Sequence, residues 1–186
     1  MSSLKVVVNC KVCLHLFIIT CDVQELPVFG RTLVVGRRTN MFLGNDSLLY
    51  LPEYVTIMAR QHGRLFKAYA EDYFFLAHND FPWDLMANVV VGRPGYDNYL
   101  VALAIQQNVT VIDATRTILA VHQTDNDGNW AGYENADSGF NRNRIGSKFS
   151  YRKGYTTAAQ YVTRFVTDRV CNGTNVIIER RKQHTR

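Results

Sequence analysis

The segment Tyr99-Leu100-Val101-Ala102-Leu103-Ala104-Ile105 constrains the fold more than any other stretch of the chain. It is apolar nearly all round, and its length and alanines favour helix over strand. A helix without a polar face has to be covered on every side, so the run predicts a core helix. Directly before it, Val91-Gly92-Arg93-Pro94-Gly95-Tyr96-Asp97-Asn98 packs two glycines, a proline, a cation and a carboxylate into one turn. Short β-branched or aromatic runs lie on both sides of this unit. Thr32-Leu33-Val34-Val35-Gly36-Arg37 and Tyr73-Phe74-Phe75-Leu76-Ala77 read as buried strands before it. Val109–Ile112 and Thr117–Val121 read as short strands after it, on either side of Asp113-Ala114-Thr115.

Strands that alternate with helices place the chain in the α/β class. Pro52 and Glu53 predict the first turn of a second helix, since proline is tolerated there and an acid suits the N-terminus. Tyr54, Ile57, Met58, Leu65 and Phe66 recur at helical spacing and are expected to form its buried face. From Asp125 to Gly154 the composition turns polar, which predicts one long loop. Val162–Val170 is ambiguous between helix and strand, and Asn175–Arg180 reads as a closing strand before a charged tail.

The start, Leu4–Cys21, is expected to be a buried strand followed by the beginning of a helix. Asn9, Lys11 and His15 interrupt its apolar run and no small-x-small cleavage site follows, although a signal peptide or anchor stays as the alternative. Cys10 and Cys13 form a C-x-x-C without a second pair at zinc spacing. The four cysteines therefore read as packing residues, not as a disulfide framework or a metal knuckle.

At 186 residues, with 47% hydrophobic and 20% charged residues, the chain suits one globular domain. Its net charge of +5 is unevenly spread. From Asn141 onward eleven Lys and Arg face two acids, whereas the remainder is mildly acidic. The basicity belongs to the C-terminal part, where a solvated basic face and an anionic partner are both open readings. Arg142, Arg144, Lys148, Arg152 and Lys153 interleave with Phe149, Tyr151 and Tyr155, but no nucleic-acid module is legible, so nucleic acid ranks last among partners. Three N-x-S/T acceptors, at Asn45, Asn108 and Asn172, do not decide the compartment.

No P-loop, dinucleotide fingerprint, H-E-x-x-H or G-x-S-x-G is present. The candidates are acids, one histidine and aromatics, several of them expected near the carboxyl ends of strands, where an α/β sheet places its ligands, although spacing alone does not prove that they converge. Asp97 at a helix start either satisfies free N–H groups or serves as a base for an incoming hydroxyl. Asn79-Asp80-Phe81-Pro82-Trp83 joins an acid to two aromatic faces, as a sugar-binding surface or simply as a loop with a packed tryptophan. His122-Gln123 ends an apolar strand, with His122 either structural or a ligand to metal or phosphate. Asp113 reads as a turn or cap residue.

Six pieces occur in one order: "VVGRRTN" (34–40), "AEDYFF" (70–75), "DFPW" (80–83), "VGRPGYDNYLV" (91–101), "VIDAT" (111–115) and "AVHQT" (120–124). The set resembles a glycosyltransferase-like branch of the nucleotide-diphospho-sugar transferases, the GT-A fold. The resemblance runs from about Val6 to the early 140s, with weaker echoes to Arg181. It implies a mixed sheet flanked by helices, incomplete at the N-terminus where the nucleotide-binding half is expected. Residues 1–141 would be the C-terminal portion of that domain, and 142–186 a basic extension packing on it. The implied activity is sugar transfer from a nucleotide-sugar donor to a glycan or other hydroxyl acceptor, with a non-catalytic carbohydrate-binding or remnant domain as the alternative.

By resemblance Asp97 is the catalytic base and His122 joins the shell of a divalent cation, Mn²⁺ or Mg²⁺. Asp80, Trp83, Arg93, Asp113 and Gln123 would bind substrate. One departure concerns the cation. Proteins of this type carry an N-x-D acid ahead of the "GRR" strand, and the matching stretch Val8–Val12 has Lys11 there, which does not ligate a metal at neutral pH. A membrane association is not evident, and cytoplasm and Golgi lumen both remain open.

Overall fold

The computed structural model describes residues 31–42, 51–67, 70–76, 81–124, 136–146, 163–171, 173 and 175–180, and the strands at 5–7 and 17–20. For 5–7, 17–20, 73–76 and 123 only the backbone is described. The chain forms a mixed α/β fold with two mixed sheets. In chain order the elements are β1 (Lys5–Val7), β2 (Phe17–Thr20), β3 (Thr32–Gly36), β4 (Arg38–Met41), α1 (Pro52–His62), β5 (Arg64–Leu65) and β6 (Tyr73–Leu76). They continue with α2 (Tyr96–Gln106), β7 (Thr110–Asp113), β8 (Leu119–Gln123), α3 (Phe140–Ile145), β9 (Phe165–Arg169) and β10 (Asn175–Glu179).

The first sheet has the order β1-β6-β3-β7-β9-β10 and the second β2-β8-β4-β5. Their centres are parallel pairs: β3 with β7 and β9 beyond it, and β4 with β8. Only Arg37 separates β3 from β4, and residues 114–118 separate β7 from β8. One parallel pair thus passes from the first sheet into the second. β9 and β10 make the C-terminal part an integral edge of the first sheet.

Alternation along β3 and β7 sorts the core into two layers, as period-two strands require. Leu33, Val35 and Val111 face one way and pack with Leu100, Val101, Leu103 and Ala104 of α2, together with Phe81. Val34 and Ile112 face the other way and meet Ala114, Ile118 and Ala120, flanked by Phe165 and Ile177. A third cluster joins Met41 and Val121 of the second sheet to Val55 and Ala59 of α1. Each buried Val, Leu, Ile, Phe or Met side chain of these clusters stabilises the fold by about 1.5–3 kcal/mol relative to exposure.

The expected core helix is present as α2, with residues 98–104 all buried. Three other expectations need correction. The buried stripe of α1 is Val55 and Ala59 flanked by Tyr54 and Met58, while Ile57 is 54% exposed. The helix stops at His62 because Gly63 follows, which leaves Leu65 in the exposed strand β5 and Phe66 outside any helix. A Cβ on Gly63 would collide with the Ala59 carbonyl and the Thr39 methyl, so this turn admits only glycine's close approach to β4. The polar stretch 125–154 is not a loop throughout, since it contains α3. In the start Leu4–Cys21, where a strand followed by the beginning of a helix is expected, residues 17–20 form strand β2, and residues 8–16 lie outside the described residues. Among the described residues no helix is long and apolar enough to cross a membrane.

Candidate functional site

Helix α2 leads into β7, which lies parallel to β3, so the first turn of α2 lies at the carboxyl ends of these strands. The ends do not open onto loops alone, because both strands run on into the second sheet. The junction is filled by buried polar groups. Arg38 and Asp72, 4% and 3% exposed in their side chains, form an ion pair at 3.0 Å. The Arg38 amide donates to the same carboxylate at 3.2 Å, and its Nε donates to Asn40 Oδ1 at 2.9 Å. The guanidinium lies 4.2 Å from the Phe66 ring centroid, which covers it.

The neighbouring acid points elsewhere. Glu71, 2% exposed, accepts a 2.8 Å hydrogen bond from Asn98 Nδ2 in the first turn of α2. The adjacent pair Glu71-Asp72 therefore ties the helix start to the sheet junction. Asp113, at the end of β7, is 1% exposed. Its Oδ1 accepts from the Thr115 amide at 3.0 Å and its Oδ2 from Arg180 at 2.6 Å. Arg180 also donates to Thr163 Oγ1 at 3.0 Å, which fastens the end of β10 to the central strand.

Asp97 is half-buried in the first turn of α2, behind Gly95, which takes φ 88° as the residue preceding the helix. Arg93 lies in the preceding turn, and its carbonyl accepts from Asn141 Nδ2 at 3.1 Å. Tyr96, packed beside the α2 cluster, has its phenol pushed above its ordinary value of 10.0 by burial. Trp83 lies in a short 3-10 turn over residues 83–85, 43% exposed, with its ring 4.4 Å from that of buried Phe81. That turn is fixed to α2 through the Tyr99 hydroxyl, which accepts from the Ala87 amide at 2.9 Å and donates to the Leu85 carbonyl at 3.5 Å.

The sequence candidates thus fall into two places. Asp97, Arg93 and Trp83 belong to α2 and the chain leading into it, and Asp113 to the neighbouring strand end. His122 lies in the second sheet, 4% exposed and paired with Phe17 and Asn40. Gln123 is the last residue of β8, opposite Met41. Asp80 and Lys11 lie outside the described residues. Among the described residues no three His, Cys, Asp or Glu side chains are grouped as a cation's ligand shell requires. Asp72 and Asp113 are each paired with an arginine, and no chemical step is assigned to a cation.

Sequence reasoning missed Glu71, Asn98 and Asn141. The first two sit inside quoted motifs, but nothing local distinguishes a buried carboxylate from a solvated one. Asn141 falls in the stretch expected to be loop.

Two mixed sheets joined through a shared parallel pair, with a helix start at the strand ends, define a mixed α/β protein. Comparisons with models of known families, with curated proteins and with solved structures find no match for this chain.

Proposed function

We propose that the chain transfers a sugar from a nucleotide-diphospho-sugar donor to a hydroxyl acceptor, with Asp97 as the general base. The reading rests on the ordered motif resemblance. The observation that carries it is the placement of Asp97 in the first turn of α2 at the carboxyl ends of β3 and β7. In this reaction Asp97 takes the acceptor's proton as the hydroxyl oxygen bonds to the anomeric carbon. The bond from that carbon to the diphosphate oxygen breaks, and the diphosphate leaves with the electron pair. In this reading the Arg93 cation favours the charge that develops on the leaving group.

Isothermal titration with UDP- and GDP-sugars tests donor binding, with and without Mn²⁺. Asp97→Asn keeps the fold and donor affinity and abolishes transfer; unchanged turnover in this variant removes Asp97 from the mechanism. A second reading, carbohydrate binding without catalysis, is favoured by Trp83. Its ring is backed by Phe81 yet 43% exposed, a rigid aromatic face open to a sugar ring. Saccharide binding that Trp83→Ala weakens, in a protein that neither hydrolyses nor transfers donor, would select this reading over the first.

A further inference from the structure

The turn that carries Arg93 into α2 is weakly held by its own hydrogen bonds. The Arg93 amide reaches the Val90 carbonyl at 3.4 Å, and the Tyr96 amide reaches the Arg93 carbonyl at 3.4 Å. Both are at the long end of the useful range. Gly92 and Gly95 take φ 84° and 88°, conformations that give the unfolded turn many alternatives. Such a turn needs support from outside.

Asn141 supplies it from about fifty residues away. It is 0% exposed, and its amide is spent entirely on this backbone. Oδ1 accepts from the Val90 amide at 2.7 Å. Nδ2 donates to the Val90 carbonyl at 2.9 Å and to the Arg93 carbonyl at 3.1 Å. These three are shorter than either bond within the turn. An asparagine is suited to this task because it offers an acceptor and two donors on one planar group, matching the N–H and C=O of Val90. Its carrier, α3, is a single short helix of six residues, too short to be stable alone. The clamp and its helix therefore depend on the turn as much as the turn depends on them.

We propose that Asn141 is a positioning residue: docking of α3 through it sets the turn Val90–Gly95 and thereby the placement of Arg93 and Asp97. The role in catalysis rests on the sugar-transfer reading above, whereas the clamping itself does not. Through it the C-terminal segment controls the geometry of a site whose other residues come from the preceding part of the chain.

The test combines amide hydrogen exchange with kinetics on the full chain. In Asn141→Ala, the Val90 amide is expected to exchange about 100-fold faster, with the Val35 and Val101 amides of the core little changed. Asn141→Asp separates the two halves of the clamp, since it keeps an acceptor for Val90 N–H and loses both donors. There the Val90 amide keeps its protection while the Tyr96 amide loses it. A rise in exchange that is uniform over turn and core in both variants overturns the clamp, because it reports global destabilisation alone. In transfer assays, kcat should fall at least tenfold with the donor KM within about threefold, and Asn141→Asp should recover little. Full kcat in Asn141→Ala overturns the positioning role even where transfer is confirmed. Absence of transfer by the unmodified chain overturns the sugar-transfer reading instead, and the exchange pattern then decides the clamp by itself.

Discussion

Helices α1 and α2 are each eleven residues long and each packs on a sheet built around a parallel pair, yet they are buried differently. On α1 only Val55 and Ala59 are fully covered, and the opposite face meets water. On α2 seven consecutive residues are buried, from Asn98 to Ala104. The sheet covers one side of each helix. What α2 has in addition is the chain over residues 81–95, which lays Phe81 and Met86 against it and is fastened by Tyr99 and Asn141. All-round burial here is the product of a helix and its covering segment. The same segment carries Trp83 and Arg93 and leads into Asp97, so the better covered of these two helices is also the one with the candidate site at its start.

The sharpest way to break the two regions apart is at the junction that joins their sheets. Asp72→Ala leaves the Arg38 guanidinium buried without its carboxylate, and should cost about 3–5 kcal/mol in urea unfolding. A loss below about 1 kcal/mol would show that the junction relaxes or admits water.

The helices themselves give the next contrast. Leu100→Ala in α2 should cost about 2–5 kcal/mol, whereas Ile57→Ala on the exposed face of α1 should stay within about 0.5 kcal/mol. Comparable losses at the two sites would contradict the difference in cover. The covering segment is tested by Asn141→Ala, expected to lower the local opening free energy at Val90 by about 1–3 kcal/mol through the polar groups it leaves unsatisfied, with the global unfolding free energy little changed.

The smallest effect is in pH. Burial raises the Tyr96 phenol, so the folded state holds that proton more tightly than the unfolded chain does. Its contribution is fully present below the ordinary value of 10.0 and is lost as pH rises through the raised folded value. Unfolding free energies measured between neutral pH and pH about 11 should fall less steeply in Tyr96→Phe than in the unmodified chain. Identical slopes would mean that Tyr96 opens to solvent before it ionises.

Much of the element order is legible in the residues. β3, β6, α2, β7, β8 and β10 all fall on the apolar runs that predict them, within the usual uncertainty of element ends. The misreadings share a cause. Leu65 and Phe66 continue the helical spacing of α1, but Gly63 ends the helix where it approaches Thr39 of β4, a contact that periodicity does not see. The ambiguous segment 162–170 becomes strand β9 because β7 and β10 flank it. Asn108, noted as a glycosylation acceptor, takes φ 55° in the turn that ends α2, a conformation asparagine tolerates.

What the amino-acid sequence determines by itself is local: which runs are apolar enough to be buried, where glycine and proline interrupt them, and that Asp97 stands at a helix start. Periodicity and turn chemistry act over a few residues, and a reader of the chain can follow them. The tertiary structure alone decides which polar groups meet. Glu71 reaches Asn98 across 27 positions, Asp72 reaches Arg38 across 34, Asn141 reaches Val90 across 51 and Asp113 reaches Arg180 across 67. A buried polar group must find a partner, but the need does not specify which one. The choice follows from how the two sheets and the covering segment pack, and with it the surroundings of the turn before α2.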